Sequence, residues 1–455
     1  MSLRKLFIAN RGEIAVRINR AAQARGIATV QAHSEADADM LGVRLADEAV
    51  CVGPAAAAKS YLDIDAMVDA ARRSGADAVH PGYGFLAENA AFARAVQDAG
   101  LVFVGPDPDT IDRMGDKAAA RRAAMDAGVP VVPGSDGRVD SEDAALDAAR
   151  AVGFPVLVKA AAGGGGRGIR IAHTEDELRK LAPQARAEAK AAFGDGGLYI
   201  EKVIVNPRHI EVQVLGDGTD AVHCYERECS LQRRRQKVWE EAGAFGLPDA
   251  TRAKMCNSAV ALARAVGYRG AGTIEYLYDD AADAFYFIEM NTRIQVEHPV
   301  TEMVTGLDLI GLMLDIAGGA GLGVTQDQIA VTGHAIEVRL NAEDPLMQFM
   351  PFPGKLTGMR LPEGDGIRFD HFLYEGYQIP PYYDSLLGKL IVHAPTRAQA
   401  IDRMATALDA ITLDGLKTTI PLHKALAASE DLRAGRVHTQ WLEPWLEAGN
   451  LTSAT

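Results

Sequence analysis

The sequence predicts a multidomain protein of the α/β and α+β classes, opening with a parallel α/β sheet. Three observations predict it. The first ~110 residues alternate short apolar runs with Ala-rich helical stretches, the pattern of βαβ units. Beyond them, strand patterns follow one another directly, as Gly272–Tyr278 and Ala284–Asn291 do across a short acidic turn. A chain of 455 residues is also too long for one ordinary core, so two to three domains are expected.

In the first region Leu6–Ala9 reads as a strand and Gly12–Arg25 as the helix after it. Ala76–His80 and Leu101–Val104 read as further strands, and Met67–Ser74 and Glu88–Ala99 as helices. The turn Pro81-Gly82-Tyr83-Gly84 follows a strand, where open α/β sheets place ligand loops. A second region begins near Thr110 with a helix that carries Lys117 and ends at Gly128; Val129–Gly134 is an extended linker. Pro155–Ala160, Ile169–Ala172, Leu198–Val203 and His209–Leu215 read as strands beside one long helix, Glu175–Ala192, which suits a small α+β lid. Thr251–Val266 is a further helix. A third region begins near Gly333, with strands at His334–Leu340 and Lys389–His393, a Pro-rich stretch at Pro345–Pro362 and a helix at Arg397–Ile411. Leu451–Thr455 reads as a disordered tail.

Hydrophobic content of 48% and charged content of 24% are those of a globular protein. No apolar run is long enough to span a membrane, and Met-Ser-Leu-Arg-Lys leads straight into a strand, so neither an anchor nor a signal peptide is expected. Cys51, Cys224, Cys229 and Cys256 lack zinc or disulfide spacing and fit a reducing cytoplasm. A net charge of −14 argues against general nucleic-acid binding. An anionic substrate would then need a locally basic cavity.

Ile288–Pro299 is the most informative stretch. Glu289, Asn291, Arg293, Gln295 and Glu297 alternate with Ile288, Met290, Thr292, Ile294 and Val296. In an extended chain this puts an acid–amide–Arg ladder on one face and a mostly apolar set on the other. An ordinary amphipathic edge strand reads similarly. A ladder of this mixture suits a site for a metal and an anion together. At ~3.3 Å per residue, Glu289 to Glu297 would span roughly 26 Å, too far for one small site. The chain is therefore expected to bend near Thr292–Ile294, dividing a metal end from an anion end.

Other segments carry chemistry more weakly alone. Ala162–Gly168 is a glycine run between two strand patterns, so it reads either as a flap whose N–H groups meet phosphates or as a mobile linker. Lys159 beside it favours the flap. Glu275 and Glu289 lie in neighbouring strand patterns and could share Mg²⁺ with Asn291, the alternative being two unconnected surface acids. Glu201-Lys202-Val203-Ile204 reads equally as an adenine-binding hinge or a buried strand. Gln232–Lys237 puts four cations in five residues, by default a solvated face, though flanking Glu226, Glu228, Glu240 and Glu241 allow a salt-bridge network; Lys237 is a candidate anion contact. Arg339 and His209 would, alone, more often be structural, and Cys229 reads as a small buried residue.

These residues together resemble the biotin carboxylase component of acetyl-CoA carboxylase and its relatives, of the ATP-grasp fold. The resemblance runs through nearly the whole chain: Ile8–Ala15, His80–Leu86, Gly115-Asp116-Lys117, the glycine run, Asn206-Pro207-Arg208-His209-Ile210-Glu211, Glu289–Thr301 and Pro381-Tyr382-Tyr383-Asp384-Ser385. It implies an N-terminal domain at 1–113, a central ATP-grasp domain at 114–330 with a mobile glycine-rich lid at about 131–203, and a C-terminal α+β domain at 331–447. It implies that Lys117, Lys159, His209, Gln232 and Arg235 contact ATP, with Gly164, Gly165 and Gly166 over its phosphates and Glu201, Lys202 and Ile204 at the adenine. Glu275, Glu289 and Asn291 would hold Mg²⁺, two ions being expected and Mn²⁺ an alternative. Lys237, Arg293, Gln295 and the Val296 backbone would bind bicarbonate. Glu297 would be the general base, ionised by Arg293 beside it, and Arg339 would stabilise the biotin enolate.

The resemblance further implies a homodimer, and biotin on a carrier protein. No Met-Lys pair occurs in the chain, so the carrier and the carboxyltransferase are expected to be other chains. Three departures stand out. Arg235 replaces the family's His, Ala162 a common Gly, and Gly243-Ala244-Phe245 a Pro-x-Pro, whose loss is expected to loosen a loop near the site. Other readings are a non-biotin carboxylate–amine ligase of the same fold, a carboxylase component for an acceptor other than acetyl-CoA, and a scaffold subunit without catalysis. Intact Glu275, Glu289, Lys237 and Glu297 speak against the last.

Overall fold

The computed structural model describes residues 3–135, 137–160, 170–193 and 196–451. The glycine run, with Gly164, Gly165 and Gly166, lies outside the described residues, as does most of the C-terminal tail.

The N-terminal sheet has five parallel strands in the order Glu48–Gly53, Ala28–Ser34, Lys5–Ile8, Ala78–His80 and Val102–Phe103. The chain starts at the middle strand and winds outward in both directions. Its switch point therefore lies beyond the carboxyl ends of Lys5–Ile8 and Ala78–His80, where such sheets form ligand crevices. The loops leaving those two strands are stitched together: Asn10 Nδ2 donates to Pro81 O at 2.6 Å and to Tyr83 O at 2.8 Å. Gly82 sits in the left-handed region at φ 63°, and a Cβ there would lie 2.8 Å from Asn10 Nδ2, so both backbone and space require glycine.

The lid region is a three-stranded sheet, ordered Arg170–Ala172, Val156–Ala160 and Leu198–Lys202, backed by helices Glu142–Val152 and Glu175–Phe193. Leu146, Val156, Val158, Leu178, Leu198 and Ile200 form its own small core.

The largest element is an eight-stranded sheet. Its order is Ala284–Asn291, Arg269–Asp279, Arg208–Asp217, Ala221–Arg233, Gln236–Ala242, His334–Asn341, Leu386–Ala394 and Ile367–His371. It runs unbroken across residue 331, because Gln236–Ala242 pairs with His334–Asn341. Helix Arg397–Ala410 covers its C-terminal strands through Ile401, Met404 and Leu408. No helix among the described residues is long and apolar enough to cross a membrane.

Two irregularities decide which side chains face the site. Between Ala284–Asn291 and Arg269–Asp279 the register shifts after Glu275, which pairs with Glu289, while Tyr276 pairs with Phe287. Ile288 is the extra residue of this bulge and is 38% exposed. The strict alternation read from the sequence thus fails at Ile288, which does not enter the core. Between Ala221–Arg233 and Gln236–Ala242, Gln232 pairs with Lys237 but Leu231 with Trp239. Val238 is skipped, so Lys237 and Glu240 come onto one side although three residues apart.

Leu408 is fully buried. Leu408→Ala is expected to cost about 2–5 kcal/mol and to lower the calorimetric melting temperature of the C-terminal part, with ATP affinity unchanged.

Candidate active site

The large sheet and the segment after it bring Glu211, Lys237, Glu275, Glu297 and Arg339 to one point. Lys237 Nζ is the hub: it donates to Glu211 Oε2 at 2.5 Å, Glu297 Oε1 at 2.7 Å and Glu275 Oε1 at 3.0 Å. Glu297 Oε2 accepts from Arg339 NH2 at 3.0 Å, and Arg339 Nε donates to Glu240 Oε1 at 2.6 Å. All three hub carboxylates are buried. Burial alone would raise their pKa values. Lys237, the strongest opposing charge, outweighs it together with the neighbouring cations and hydrogen bonds, holding Glu211 (with Arg227 and His209) and Glu275 (with His209) well below the usual carboxylate range and Glu297 (with Arg339 and Arg227) below its ordinary value.

The expectation that Arg293 keeps Glu297 ionised is corrected here. The strand ends at Asn291 and the chain turns, so side-chain alternation stops. Arg293 swings to the N-terminal domain, donating from Nε to Glu88 Oε2 at 3.0 Å and from NH2 to Asn291 Oδ1 at 3.1 Å. The bend expected near Thr292–Ile294 is present, and it folds the ladder so tightly that Glu275 and Glu297 share one ammonium.

Two residues that the sequence reading gave no role lie under this hub. Arg227 is fully buried, and its guanidinium bonds to Glu211, Gln213, Thr301, Thr273 and Gln295 at 2.6–3.1 Å. Five donors meet five acceptors, which a guanidinium alone can supply. Gln295 is held from both ends, accepting from Arg227 and donating to Glu275 Oε1 at 2.9 Å. Glu211 was legible only as the third residue of His209-Ile210-Glu211, where alternation places both polar side chains on one face.

At the metal end Glu275 and Glu289 are direct cross-strand partners. Burial, then the charge of Glu275, raises the Glu289 pKa, with Lys117 opposing. Among the described residues Glu289 has no ion-pair partner. Two repelling carboxylates in register fit a divalent cation; beside them Asn291 Nδ2 donates to Glu275 Oε1 at 2.9 Å, and its Oδ1, the atom that could ligate, accepts from Arg293. His209 Nε2 lies 3.3 Å from Glu275 Oε2 and 3.6 Å from Glu211 Oε2. Burial disfavours its charge, but Glu275 and Glu211 together outweigh burial and the repulsion of Lys237 and lift the imidazole to about 9.

Lys117 is exposed at the first position of helix Lys117–Asp126. Lys159 pairs with Glu201 on the adjacent lid strand. Lys202 ends that strand, and Ile204 beyond it is buried. Gln232 donates to Cys229 O at 2.9 Å instead of pointing at the hub. Arg235 is exposed in the hairpin turn, both it and Arg234 having positive φ. The loop at 243–245 is clamped, contrary to the loosening expected from its missing prolines. The Phe245 ring lies 4.1 Å from the Arg208 guanidinium and 4.6 Å from that of Arg397, and Phe245 O accepts from Arg208 at 2.6 Å.

A cavity of about 560 Å³ opens onto the other side of Lys237 and Arg339. Its wall unites three distant motifs: Asn10–Glu13, Tyr83–Phe85 and Tyr383–Ser385. Val296 also lines it, its carbonyl fixed by the fully buried Lys389 at 2.6 Å. A lysine and an arginine thus face the cavity, and both bond to Glu297, whose pKa lies below its ordinary value. That arrangement can hold an anion and take a proton from it.

Family models match nearly the whole chain: "Biotin carboxylase, N-terminal domain" over residues 2–111, "Carbamoyl-phosphate synthase L chain, ATP binding domain" over 116–325, and "Biotin carboxylase C-terminal domain" over 337–444. The chain is 52% identical to the biotin carboxylase of Pseudomonas aeruginosa over 443 residues, 97% of this chain and 98% of that one. It is similar to a solved Hydrogenobacter thermophilus 2-oxoglutarate carboxylase biotin carboxylase domain, a dimer in complex with MgADP, ADP and bicarbonate (46% identity, TM-score 0.87, 100% of each chain). It also resembles the biotin carboxylase subunit of a pyruvate carboxylase (46% identity, TM-score 0.92, 100% of each chain).

His209 generates a pH prediction. Its folded pKa of about 9 lies above the ordinary 6.5, so its contribution to stability is complete below about 6.5 and is lost as pH rises through about 9. Melting temperature should therefore fall between those values, and His209→Gln should flatten that part of the profile; an unchanged slope in the variant would refute the assignment.

Proposed function

The chain belongs to the biotin carboxylase family, and we propose that it carboxylates biotin on a separate carrier protein, using ATP and bicarbonate, as the first half-reaction of an acyl-CoA carboxylase. The observation that carries this reading is Glu297, buried between Lys237 and Arg339, both of which line the cavity.

Lys237 and Arg339 attract bicarbonate, and Val296 offers backbone at the same wall. Glu297 removes the bicarbonate proton, and the resulting oxyanion attacks the γ-phosphorus of ATP. An O–P bond forms, the bond to ADP breaks, and carboxyphosphate results. Lys117, Lys159 and His209 supply positive charge at the phosphate end, with the 201–204 segment at the adenine. Glu275, Glu289 and Asn291 would hold Mg²⁺, which when bound supplies charge neutralisation at the phosphate oxygens. Carboxyphosphate then yields CO₂ and phosphate. The phosphate takes the N1′ proton of biotin, whose enolate Arg339 stabilises, and N1′ attacks CO₂.

Biotin carrier and carboxyltransferase are then separate partners. The acceptor is chosen by the transferase, in keeping with similar domains in 2-oxoglutarate and pyruvate carboxylases. A homodimer, as in the Hydrogenobacter domain, and a cytoplasmic setting belong to the same reading.

ADP release measured with bicarbonate, with and without free biotin, tests the proposal. Biotin stimulation is expected; stimulation only by an amine acceptor would replace it with a ligase reading. Glu297→Gln is expected to lower bicarbonate-dependent turnover by about 10²–10⁴-fold while ATP binding persists, and full activity in that variant would overturn the role.

A further inference from the structure

Exposed apolar side chains lie on two segments beside the cavity. Leu346, Met347 and Met350 are 47%, 59% and 54% exposed, and Tyr382 is 59% exposed. Met350 lies between the cavity-lining residues Phe349 and Pro351, and Tyr382 precedes the cavity-lining Tyr383. Exposed apolar side chains therefore flank the opening on two separate segments.

The loop is built to hold them there. Gln348 and Phe349 have φ of 56° and 60°, a left-handed backbone that non-glycine residues adopt at a cost and that clusters at functional sites. The Phe349 ring packs inward under the Arg233 guanidinium, 3.7 Å away, and Phe349 N donates to Asp344 O at 2.8 Å. Asp344 Oδ1 also accepts from Leu346 N at 3.0 Å. This bracing turns one aromatic residue in and leaves three apolar side chains out.

Beside the loop is a hollow of about 530 Å³ that shares Arg233 and Phe349 with the cavity. Arg234 and Arg235 are exposed at the adjoining hairpin tip, a local cationic spot on a chain of net charge −14. Glu443 and Glu447 face it from the C-terminal helix, and Glu443 is engaged by the Arg234 backbone N–H at 2.8 Å.

We infer that the 345–351 loop with the Arg233–Arg235 hairpin tip is the docking surface for the biotin carrier, whose matching face presents apolar side chains flanked by carboxylates beside its biotinyl group. This rests on the biotin carboxylase reading of the cavity. ATP and bicarbonate are charged and gain nothing from an apolar rim. Biotin instead arrives covalently attached to a protein, so that protein's surface meets the rim in every turnover. Met, aromatic residues and Arg are the types enriched at protein interfaces.

The test compares the full-length wild type with Met347→Asp and Arg234→Glu. Bicarbonate-dependent ADP release is measured with free biotin and with a purified biotinylated carrier domain that the wild type carboxylates. Both variants are expected to raise KM for the carrier about tenfold or more, as loss of an interface anchor does, while kcat/KM for free biotin stays within about twofold. Added salt should weaken the carrier interaction in the wild type and less in Arg234→Glu. An unchanged carrier KM in both variants overturns the inference, as does an equal loss with both substrates. A change in sedimentation from dimer to monomer would give the surface to a second copy of this chain, and also overturns it. Failure of the wild type to carboxylate either free biotin or any biotinylated carrier would instead refute the biotin carboxylase reading itself.

Discussion

One buried ammonium organises this active site. Lys237 is ringed by Glu211, Glu275 and Glu297, each from a different segment of the chain. Three carboxylates this close repel one another strongly in a poorly solvated interior. Removing the cation would leave them uncompensated, so the positions of the metal end, the anion end and the base all depend on it. Arg227 serves the same end, fixing Glu211 and Gln295 with two of its five donors while the other three hold Gln213, Thr301 and Thr273.

The same network has a consequence for the chemistry. An entering bicarbonate meets a lysine that already has three anionic partners. In the proposed reaction, proton transfer to Glu297 removes one of those negative charges as the substrate gains one. The total charge around Lys237 and Arg339 is unchanged, but it has moved from protein to substrate. Behind Arg339, Glu240 is raised by burial to about 7, against the pull of Arg339. Glu337, directly opposite Glu240 in the sheet, is raised well above its usual value by burial. The carboxylates bonded to Lys237 thus stay ionised, while Glu240 and Glu337 are the more readily protonated ones.

Three of the five N-terminal strands and the lid strands were legible because their apolar runs and neighbouring Ala-rich helices have clear periods; Ala28–Ser34 and Glu48–Gly53 were not read as strands. Ala221–Arg233 and Gln236–Ala242 were not read as strands. Their buried residues include Glu226, Arg227, Glu228, Glu240 and Glu241, so the pattern that normally announces a strand is absent. The cations at 233–235 were rightly left open as a solvated face, since a two-residue hairpin turn carries two of them into solvent. The family motifs identified Glu275, Glu289, Glu297, Lys237 and Arg339, and the structure brings them together. Arg293 was misplaced for a local reason: alternation was extended past the end of the strand.

By itself the sequence determined the residue types of the site, the order of its motifs and the family to which they belong. Those are local properties: a glutamate two residues from an asparagine in a strand keeps that relation wherever the strand lies. Tertiary structure decided which of these residues touch. The skipped residue at Val238 put Lys237 and Glu240 on one side, the bulge at Ile288 sent that side chain out, and the turn after Asn291 gave Arg293 to Glu88 instead of Glu297. A one-residue change of register reverses every side chain beyond it, and no pattern of residue types records where such a change falls.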